Sequence, residues 1–428
     1  MRQASLVFRG VVLLVLFSPA LLPAQGSKLL EVRSADVLNV RYVGNQEVRE
    51  LIGNVHIVQT SPVEVVKIWC DSALRYMAVN KLELYGRVRI VRDSVTLLAP
   101  EAVYFGNEQR SEMKHGVRLL KGSMVLTASF GEYFTEQKRA RFMDDVRVVD
   151  ASSLTTANTL LFFEGEEKSI ALGNVRVINT ENHLTVYGDS LVNFDRLNYA
   201  VVSGHPRMVQ VDTASEGRID TLVVVSEVME SFRDSLQQFI ARGNVAMART
   251  DFSARCGEAI YRMEQDRMIL RERPVVWHEG NQVSGDSIVV TLLEKRLHSV
   301  YVKGRAMAVS MADSTTARRF DQLTGREIVM QFAGNKLERI EAERNAVSMY
   351  YLFEEHVPNG ANRSSGDRIV IEFDEGKTDR IRIVGGVEGR YFPEPMIEGR
   401  EMLYNLDGFR WISNRPKRER LEIVSADH

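Results

Sequence analysis

The sequence predicts an all-β repeat protein, and three observations support that prediction. A small residue followed by an acid begins a strand-like segment about every 30 residues. Between successive acids falls a second strand start, usually Gly, a polar residue and an aliphatic one. Apolar and polar residues alternate within both segments, which is typical of strands that bury one face. Because such a unit is too short to bury its own apolar face, neighbouring units must stack on it.

The acid-led strand starts extend from Asp71 to Asp367 and mark about ten units. Their lead residues are Asp71, Glu101, Glu132, Asp189, Glu227, Glu258, Asp286, Glu327 and Asp367, and one further copy has the amide Asn158 in place of an acid. We expect these acids to accept hydrogen bonds from backbone N–H groups at turns, rather than to form a catalytic or metal cluster. Each unit is expected to supply two or three short strands. The longest spacings predict loop insertions near 214–217, 312–322 and 358–365, and Val228–Ile240 is expected to form two strands and a turn.

The N-terminus has the pattern of an export signal. Arg2 and Arg9 accompany a short apolar run, Val11–Phe17, which Pro19 interrupts, and Ala24 is a small residue suited to cleavage. A retained membrane anchor is the alternative, but a spanning helix needs about 20 apolar residues and this run is shorter. We therefore predict a signal peptide over 1–24.

The remaining chain is long for one globular core, which usually stops growing at about 250–300 residues. We predict an N-terminal lead-in over 25–50 and a repeat region over 51–392, with a division into two consecutive segments near 214–217. Residues 393–428 depart from the repeat and are expected to form a cap or a docking tail. That tail contains a basic run, Arg415–Arg420, whose role the sequence leaves open.

Composition and motifs argue against several classes of function. The 55 basic and 57 acidic residues nearly balance, which is unlike a nucleic-acid-binding protein. The two cysteines, Cys70 and Cys256, are expected at equivalent small-residue positions in separate strands. The eight histidines show no metal-ligand spacing, and neither a nucleophile elbow nor a phosphate-binding loop is present. We predict a protein without enzymatic activity, catalytic residues, bound metal or cofactor.

One apolar row is the candidate functional feature. Its members occupy equivalent positions in the Gly-led strands: Val55, Ile57, Val88, Ile90, Val117, Leu119, Val146, Val148, Val175, Val177, Val245 and Met247. Stacking would join them into a continuous apolar stripe, while Arg87, Arg89 and Arg176 would face the other side. The stripe is either the sealed core of a structural or adhesive β-solenoid or the floor of an open groove for acyl chains. Periodicity alone does not separate these alternatives.

The two alternating strand starts resemble the OstA/LptA family. The resemblance rests on Gly53-Asn54-Val55, Gly173-Asn174-Val175 and Gly243-Asn244-Val245, on Gly188-Asp189-Ser190-Leu191 and Gly285-Asp286-Ser287-Ile288, and on the interruption Gly204-His205-Pro206. It extends over about Leu51 to Gly386.

The resemblance implies an elongated, twisted β-jellyroll, or β-taco, in the periplasm, with outer-membrane association a further expectation. Such proteins shield the acyl chains of lipopolysaccharide on its way to the outer membrane. The implied ligand is lipopolysaccharide or another acylated lipid. The implied partners are jellyroll domains of other transport-bridge proteins, joined by edge-strand pairing. End-to-end self-association is expected by the same route.

Overall fold

The computed structural model describes the chain from residue 29 to residue 423, apart from short gaps. The described ranges are 29–60, 65–181, 183–213, 219–233, 237–250, 252–278, 280–293, 296–312, 318–334, 336–355, 357–374 and 377–423. The predicted signal peptide (1–24) and the predicted division at 214–217 lie outside the described residues. The chain forms two compact units, the first ending at Gly204 and the second beginning at His205. The predicted domain boundaries otherwise stay predictions.

The described residues of the first unit form antiparallel strands and one short 3-10 turn, Asp195–Leu197. Its strands are β1 (Leu29–Ser34), β2 (Val37–Val43), β3 (Gln46–Thr60), β4 (Val65–Tyr76), β5 (Lys81–Arg92), β6 (Val95–Phe105), β7 (Arg110–Lys114), β8 (Val117–Lys121), β9 (Met124–Ala128), β10 (Phe130–Phe134), β11 (Arg139–Val149), β12 (Ser153–Phe163), β13 (Lys168–Asn179), β14 (Leu184–Phe194) and β15 (Tyr199–Ser203).

The second unit continues the pattern and adds two short helices, α1 (Glu394–Ile397) and α2 (Arg418–Ile423), with 3-10 turns at Met263–Gln265 and Glu401–Tyr404. Its strands are β16 (Arg207–Thr213), β17 (Ile219–Val225), β18 (Val228–Phe232), β19 (Gln238–Ala248), β20 (Phe252–Arg262), β21 (Arg267–Arg271), β22 (Val275–His278), β23 (Asn281–Ser284), β24 (Ser287–Leu293), β25 (Arg296–Met311), β26 (Phe320–Ala333), β27 (Lys336–Glu354), β28 (Val357–Asp374), β29 (Lys377–Val384) and β30 (Glu388–Phe392).

The all-β prediction is confirmed, but the strands are longer than expected. β5 has 12 residues and β27 has 19, because a strand continues through a bend instead of ending there. The number of repeats stays a prediction. The expected loop at 358–365 is wrong: these residues lie inside β28, which follows β27 after a tight hairpin. The additional residues of this unit lengthen β27 and β28 instead of forming a loop. Val228–Ile240 contains the whole of β18 and the first three residues of β19.

The bends are corners made of two consecutive residues in the left-handed region. In β5, Gly86 has a φ of 71° and Arg87 a φ of 46°. Glycine adopts such a φ without steric cost, which explains the recurring Gly. The ladder register shifts at these two residues on both neighbouring strands. Equivalent corners in the first unit lie at 53–54, 115–116, 144–145 and 173–174.

An acid on the adjacent strand packs against the corner and binds its second residue. Arg87 donates from Nη2 to Asp71 Oδ1 at 2.6 Å and from Nε to the same oxygen at 3.0 Å. This contact holds the pKa of Asp71 below its ordinary value. In the second unit Arg305 binds Asp286 in the same way. The recurring acids therefore accept hydrogen bonds from corner side chains, and the expectation of backbone N–H donors is wrong for these two.

The corners divide the sheet of the first unit into two halves, which we call leaves. The long strands contribute to both leaves, and each short strand lies in one: β1 in the second, β2 and β15 in the first. The first leaf comprises 47–52, 72–76, 81–85, 101–105, 110–114, 130–134, 139–143, 159–163, 168–172 and 190–194. The second leaf comprises 55–60, 65–70, 88–92, 95–99, 117–121, 124–128, 146–149, 153–157, 175–179 and 184–188. Burial alternates in both, as in Leu82 and Leu84 before the corner and Val88 and Ile90 after it. Each leaf therefore presents one face to the interior.

The hairpins at the end of the first leaf are joined to one another by backbone hydrogen bonds. The Gly106 N–H donates to the Asn80 carbonyl at 2.8 Å, and each later hairpin repeats this contact. The further pairs are Thr135 to Gln109, Glu164 to Lys138 and Asp195 to Glu167. The tips of the first leaf thus form a continuous bonded margin.

In the second unit the C-terminal segment 393–423 lies across the sheet. Its backbone pairs with two glutamines: the Leu406 N–H donates to Gln322 Oε1 and the Ile412 N–H to Gln282 Oε1, both at 2.8 Å. Trp277 Nε1 also donates to the Ile412 carbonyl at 3.1 Å. The apolar side chains of this segment and of the sheet form one cluster: Met307, Val309, Phe320, Met349, Tyr351, Ala361, Ile397 and Leu406, with Phe392, Tyr404, Phe409 and Trp411 against it.

We predict that Gly86→Ala destabilises the first unit. A Cβ at Gly86 would meet Asp71 Oδ2 at 2.3 Å, and the left-handed conformation adds strain. The free energy of unfolding should fall by roughly 2 kcal/mol, measured by urea denaturation with circular dichroism. Gly165→Ala is the matched control, since nothing lies within 4 Å of that position. Equal urea midpoints for the two variants would contradict the corner requirement.

We also predict that Asp321 makes stability depend on pH. Burial raises the pKa of this carboxyl to about 7, although the Tyr351 N–H donates to it at 2.9 Å. The pKa of Asp321 in the folded protein is above its value in the unfolded chain. The contribution of Asp321 to the free energy of unfolding is therefore fully present below about pH 4 and is lost as the pH rises through 7. Asp321→Asn keeps the acceptor oxygen and should raise stability at pH 8 by roughly 1–3 kcal/mol, with little gain at pH 4. Thermal melts at both values test this, and a gain that does not depend on pH would refute it.

Candidate functional site

The predicted apolar row lies directly after the corners on the interior face of the second leaf. Each Gly-led strand contributes two members, the first next to the corner and the second two residues on. The members are Val55 and Ile57 on β3, Val88 and Ile90 on β5, Val117 and Leu119 on β8, Val146 and Val148 on β11, Val175 and Val177 on β13, and Val245 and Met247 on β19. The first ten belong to the first unit and the last two to the second.

All twelve side chains are buried. Their exposed fractions range from 1% for Val55 to 8% for Ile90. The intervening Arg89 and Arg176 are exposed, as the alternation predicts. The row is therefore an interior surface, although its role as a lipid site stays a prediction.

The residues opposite the first position of each pair are small. Those partners are Cys70, Ala99, Ala128, Ala157, Gly188 and Cys256. Opposite the second position the partners are mostly larger, such as Ile68, Leu97 and Leu126. From the sizes of these partners we infer that the interior has less room next to the corners than toward the tips.

Both cysteines occupy this small-residue position, as the sequence predicted. Cys70 and Cys256 are free and buried. Burial raises the pKa of Cys70 to about 11 and that of Cys256 to about 12. Both thiols therefore stay protonated at neutral pH, and they serve as packing groups rather than nucleophiles.

The opposite wall of the interior comes from the first leaf. Its buried members include Leu84, Phe142, Leu160 and Phe162, with exposed fractions from 2% to 4%. These residues were not predicted from the sequence, because only the Gly-led strand starts were assigned to the apolar stripe. Their signal was the apolar alternation that precedes each corner, as at Leu84 and Phe142, and that follows each lead residue, as at Leu160 and Phe162.

A pair of charges lies where the free ends of the two leaves approach each other in the first unit. Lys121 ends the second-leaf strand β8, and Asp195 follows the first-leaf strand β14. Burial lowers the pKa of Lys121, and the carboxylate of Asp195 opposes that effect. The interior is thus apolar at its floor and charged at its margin.

The outer surface of the first leaf is held by cation–π contacts and ion pairs. The Lys81 ammonium lies 5.4 Å from the Tyr76 ring and 5.6 Å from the Phe105 ring, and Arg110 stacks on Phe105 at 4.5 Å. Lys81 also pairs with Glu83 at 2.5 Å. Charges of both signs therefore neutralise one another on this leaf.

Among the described residues, no group of three or more His, Cys, Asp or Glu could hold a metal ion. No helix in that part of the chain has both the length and the apolar character needed to cross a membrane. A polar concavity of about 840 Å³ lies along the corners of the second unit, where Asp286, Arg305, Glu327 and Arg344 line it. Its charged lining does not suit acyl chains.

Comparison with known proteins identifies a family over part of the chain. Residues 27–187 match the family model described as OstA-like protein. Among solved structures, the chain is similar to LptH, the LptA-homologous periplasmic component of the lipopolysaccharide transport device from Pseudomonas aeruginosa. The identity is 15%, with 46% of this chain and 92% of that chain covered, at a TM-score of 0.14. No curated protein matches the sequence.

The predicted family resemblance is confirmed for residues 27–187. The match begins at residue 27, so it includes β1 and β2, which the sequence argument had placed in a lead-in before the repeats. Between 188 and 386 the resemblance rests on the strand starts alone and stays a prediction.

Proposed function

We propose that this chain, whose residues 27–187 belong to the OstA-like family, is a non-enzymatic periplasmic lipid-binding protein. It shields the acyl chains of lipopolysaccharide between its two leaves during transport to the outer membrane. The observation that carries this proposal is the position of the apolar row. Ten of its twelve members, from Val55 to Val177, lie inside the OstA-like segment and line one continuous interior face.

Binding would be passive. Each acyl CH₂ moved out of water contributes about 0.8 kcal/mol, so several chains give ample affinity without any catalytic group. The sugar and phosphate parts of the lipid would stay at the charged margin near Lys121 and Asp195. Because binding alone has no direction, net transport needs an energy source outside this chain.

Entry of lipid requires the leaves to separate. The row is at most 8% exposed, so acyl chains must displace contacts between the two walls. The interior widens away from the small residues at the corners, which favours opening at the tips. The second leaf would move against the first about the corners, and all of those listed for the first unit except the corner at 144–145 contain conformationally permissive glycine.

Partner proteins would join at the free edge of the first unit. Within the described residues, β2 pairs with β3 alone, and all seven of its residues are exposed. Leu38 is 60% and Tyr42 71% exposed, so this edge carries apolar side chains as well as unpaired backbone groups. It suits edge-strand pairing with a jellyroll domain of a bridge protein or with another copy of the chain.

A sealed structural solenoid is the second candidate function. The observation that favours it is the same burial, since exposed fractions of 1–8% are those of an ordinary packed core. The two candidates differ in whether the interior ever admits lipid, and the next two experiments separate them.

Photo-crosslinking tests lipid contact directly. A photoreactive amino acid at Val88, Val175 or Val245 should give lipopolysaccharide adducts in cells, because these positions line the interior. The same residue at Arg89 or Arg176 is the matched control on the outer face and should give none. Absence of adducts at all three interior positions, in protein with an unchanged circular dichroism spectrum, would contradict the transport proposal.

The native thiols provide a second test that needs no inserted amino acid. Cys70 and Cys256 lie beside the row and are 6% and 7% exposed. N-ethylmaleimide should label them slowly at pH 8 in lipid-free protein, and lipopolysaccharide should slow labelling further by occupying the interior. Cys70→Ala and Cys256→Ala variants assign the signal to each unit by mass spectrometry. Labelling that lipopolysaccharide leaves unchanged, at saturating lipid, would favour the sealed solenoid.

A further inference from the structure

The outer face of the second leaf in the first unit carries a row of exposed cations. Its members are Lys67, Arg89, Arg118, Arg147 and Arg176, and we call the four arginines the arginine row. None of the five is in an ion pair within the described ranges. Each alternates with a buried member of the interior, as Arg89 does with Val88 and Ile90. The cations therefore point away from the interior by strand geometry, not by chance exposure.

The arginine row follows one line across the strands. Arg89 lies opposite Leu98, and Leu98 lies opposite Arg118. Thr127 then joins Arg118 to Arg147, and Thr156 joins Arg147 to Arg176. Successive arginines are thus two strands apart, which places their backbones about 9.6 Å from one another.

No acid lies on the segments that carry these cations: the ten second-leaf segments from β3 to β14 contain no Asp or Glu. The edge strand β1, which pairs with the second-leaf half of β3, carries Glu31, and this acid forms an ion pair with Arg33 on its own strand. The first leaf, in contrast, pairs its bases with Glu83, Glu112 and Glu132. Although the net charge of the chain is only -2, the outer face of the second leaf therefore carries positive charge that no ion pair on that face compensates. Such a face suits an anionic ligand.

The corresponding outer face of the second unit is covered by a polypeptide segment. Met307 follows the Gly304–Arg305 corner as Arg89 follows Gly86–Arg87. Around Met307 the face is apolar, and the chain's own segment 393–423 crosses it, with hydrogen bonds from the backbone of that segment to Gln282 and Gln322. This face of the fold therefore accommodates a polypeptide that runs across the strands, and residues 409–417 of that polypeptide contain neither helix nor turn.

We propose that the arginine row binds an extended acidic polypeptide segment of a partner protein. An extended chain rises about 3.3 Å per residue, so three residues span about the distance between successive arginines. A segment with an acid at every third residue would place one carboxylate at each guanidinium. Between the acids, aliphatic residues would contact Leu98 and Val149, the latter 42% exposed.

The twist of the sheet favours a polypeptide over a planar bilayer. Adjacent strands rotate by about 20°, so the six strand intervals from Arg89 to Arg176 turn the row through about 120°. A flat membrane surface could meet only part of such a row at one time. An extended peptide can follow the turn, as segment 393–423 follows several strands of the second unit.

The aromatic neighbours hold the ends of the row in place. The Arg89 guanidinium lies 5.1 Å from the Trp69 ring, and the Arg176 guanidinium lies 5.8 Å from the Tyr187 ring. The His56 ring also stacks on the Trp69 ring, with 4.8 Å between the ring centres. A guanidinium stacked on a ring keeps its N–H groups free to bind a carboxylate at its edge. This site is independent of the interior row, so it does not rest on lipid binding.

Fluorescence anisotropy with a designed peptide tests the proposal. The probe is a labelled 12-residue peptide with Glu at every third position and Val or Ser between them. Replacing Arg89, Arg118, Arg147 and Arg176 together by Gln should weaken its binding to the full chain by roughly 30-fold, because each exposed ion pair contributes modestly. A peptide of the same composition with its glutamates adjacent should bind more weakly to the native chain.

The matched control removes the same charge elsewhere. Arg363, Arg380, Arg382 and Arg390 are exposed arginines of the second unit, and replacing all four by Gln should leave peptide binding within twofold of native. Equal losses in the two quadruple variants would overturn the proposal. So would binding of the row to phosphatidylglycerol vesicles without binding to the peptide, which would assign the face to a membrane surface.

Discussion

The contact between a left-handed corner and an acid on the next strand is the constraint on which the rest of this structure depends. At the corner of Gly86 and Arg87, the glycine admits the conformation and Asp71 binds the residue that follows. Because Asp71 Oδ2 would lie 2.3 Å from a Cβ at Gly86, the acid and the glycine are required together. The bend sets the two leaves face to face, which gives the apolar residues of both an interior to occupy.

The same corner explains the chemistry on either side of the sheet. Small residues such as Cys70 and Ala99 lie opposite the first interior position, next to the corner. One residue further along, the side chain points outward, and this position is free to vary. It is Arg89 in the first unit and Met307 in the second, where the C-terminal segment covers it. One backbone pattern therefore supports a charged outer face in one unit and an apolar one in the other.

Much of the fold followed from the sequence, because strand alternation and recurring acids are local signals. The interior position of Val88 and the exposure of Arg89 were both predictable in this way. The length of the strands was not, because a Gly followed by a polar residue usually signals a turn between strands and here lies within one. The loop expected at 358–365 was inferred from the long spacing of the acids there, and it is wrong because the additional residues lengthen β27 and β28. The packing of Leu406 and Ile412 on Gln322 and Gln282 depends on contacts more than 80 residues apart, which no local pattern reveals.

The hydrogen bonds between successive hairpins give the first leaf a mechanical property. Each tip from Asn80 to Asp195 is tied to the next through its backbone, so one hairpin cannot swing outward without pulling on its neighbours. If one hairpin moved away from the second leaf, the hydrogen bonds between hairpins would draw the neighbouring hairpins after it. Release of the contact at Lys121 and Asp195 would then affect more than the strands that carry it, and the margin would respond as one flexible rim.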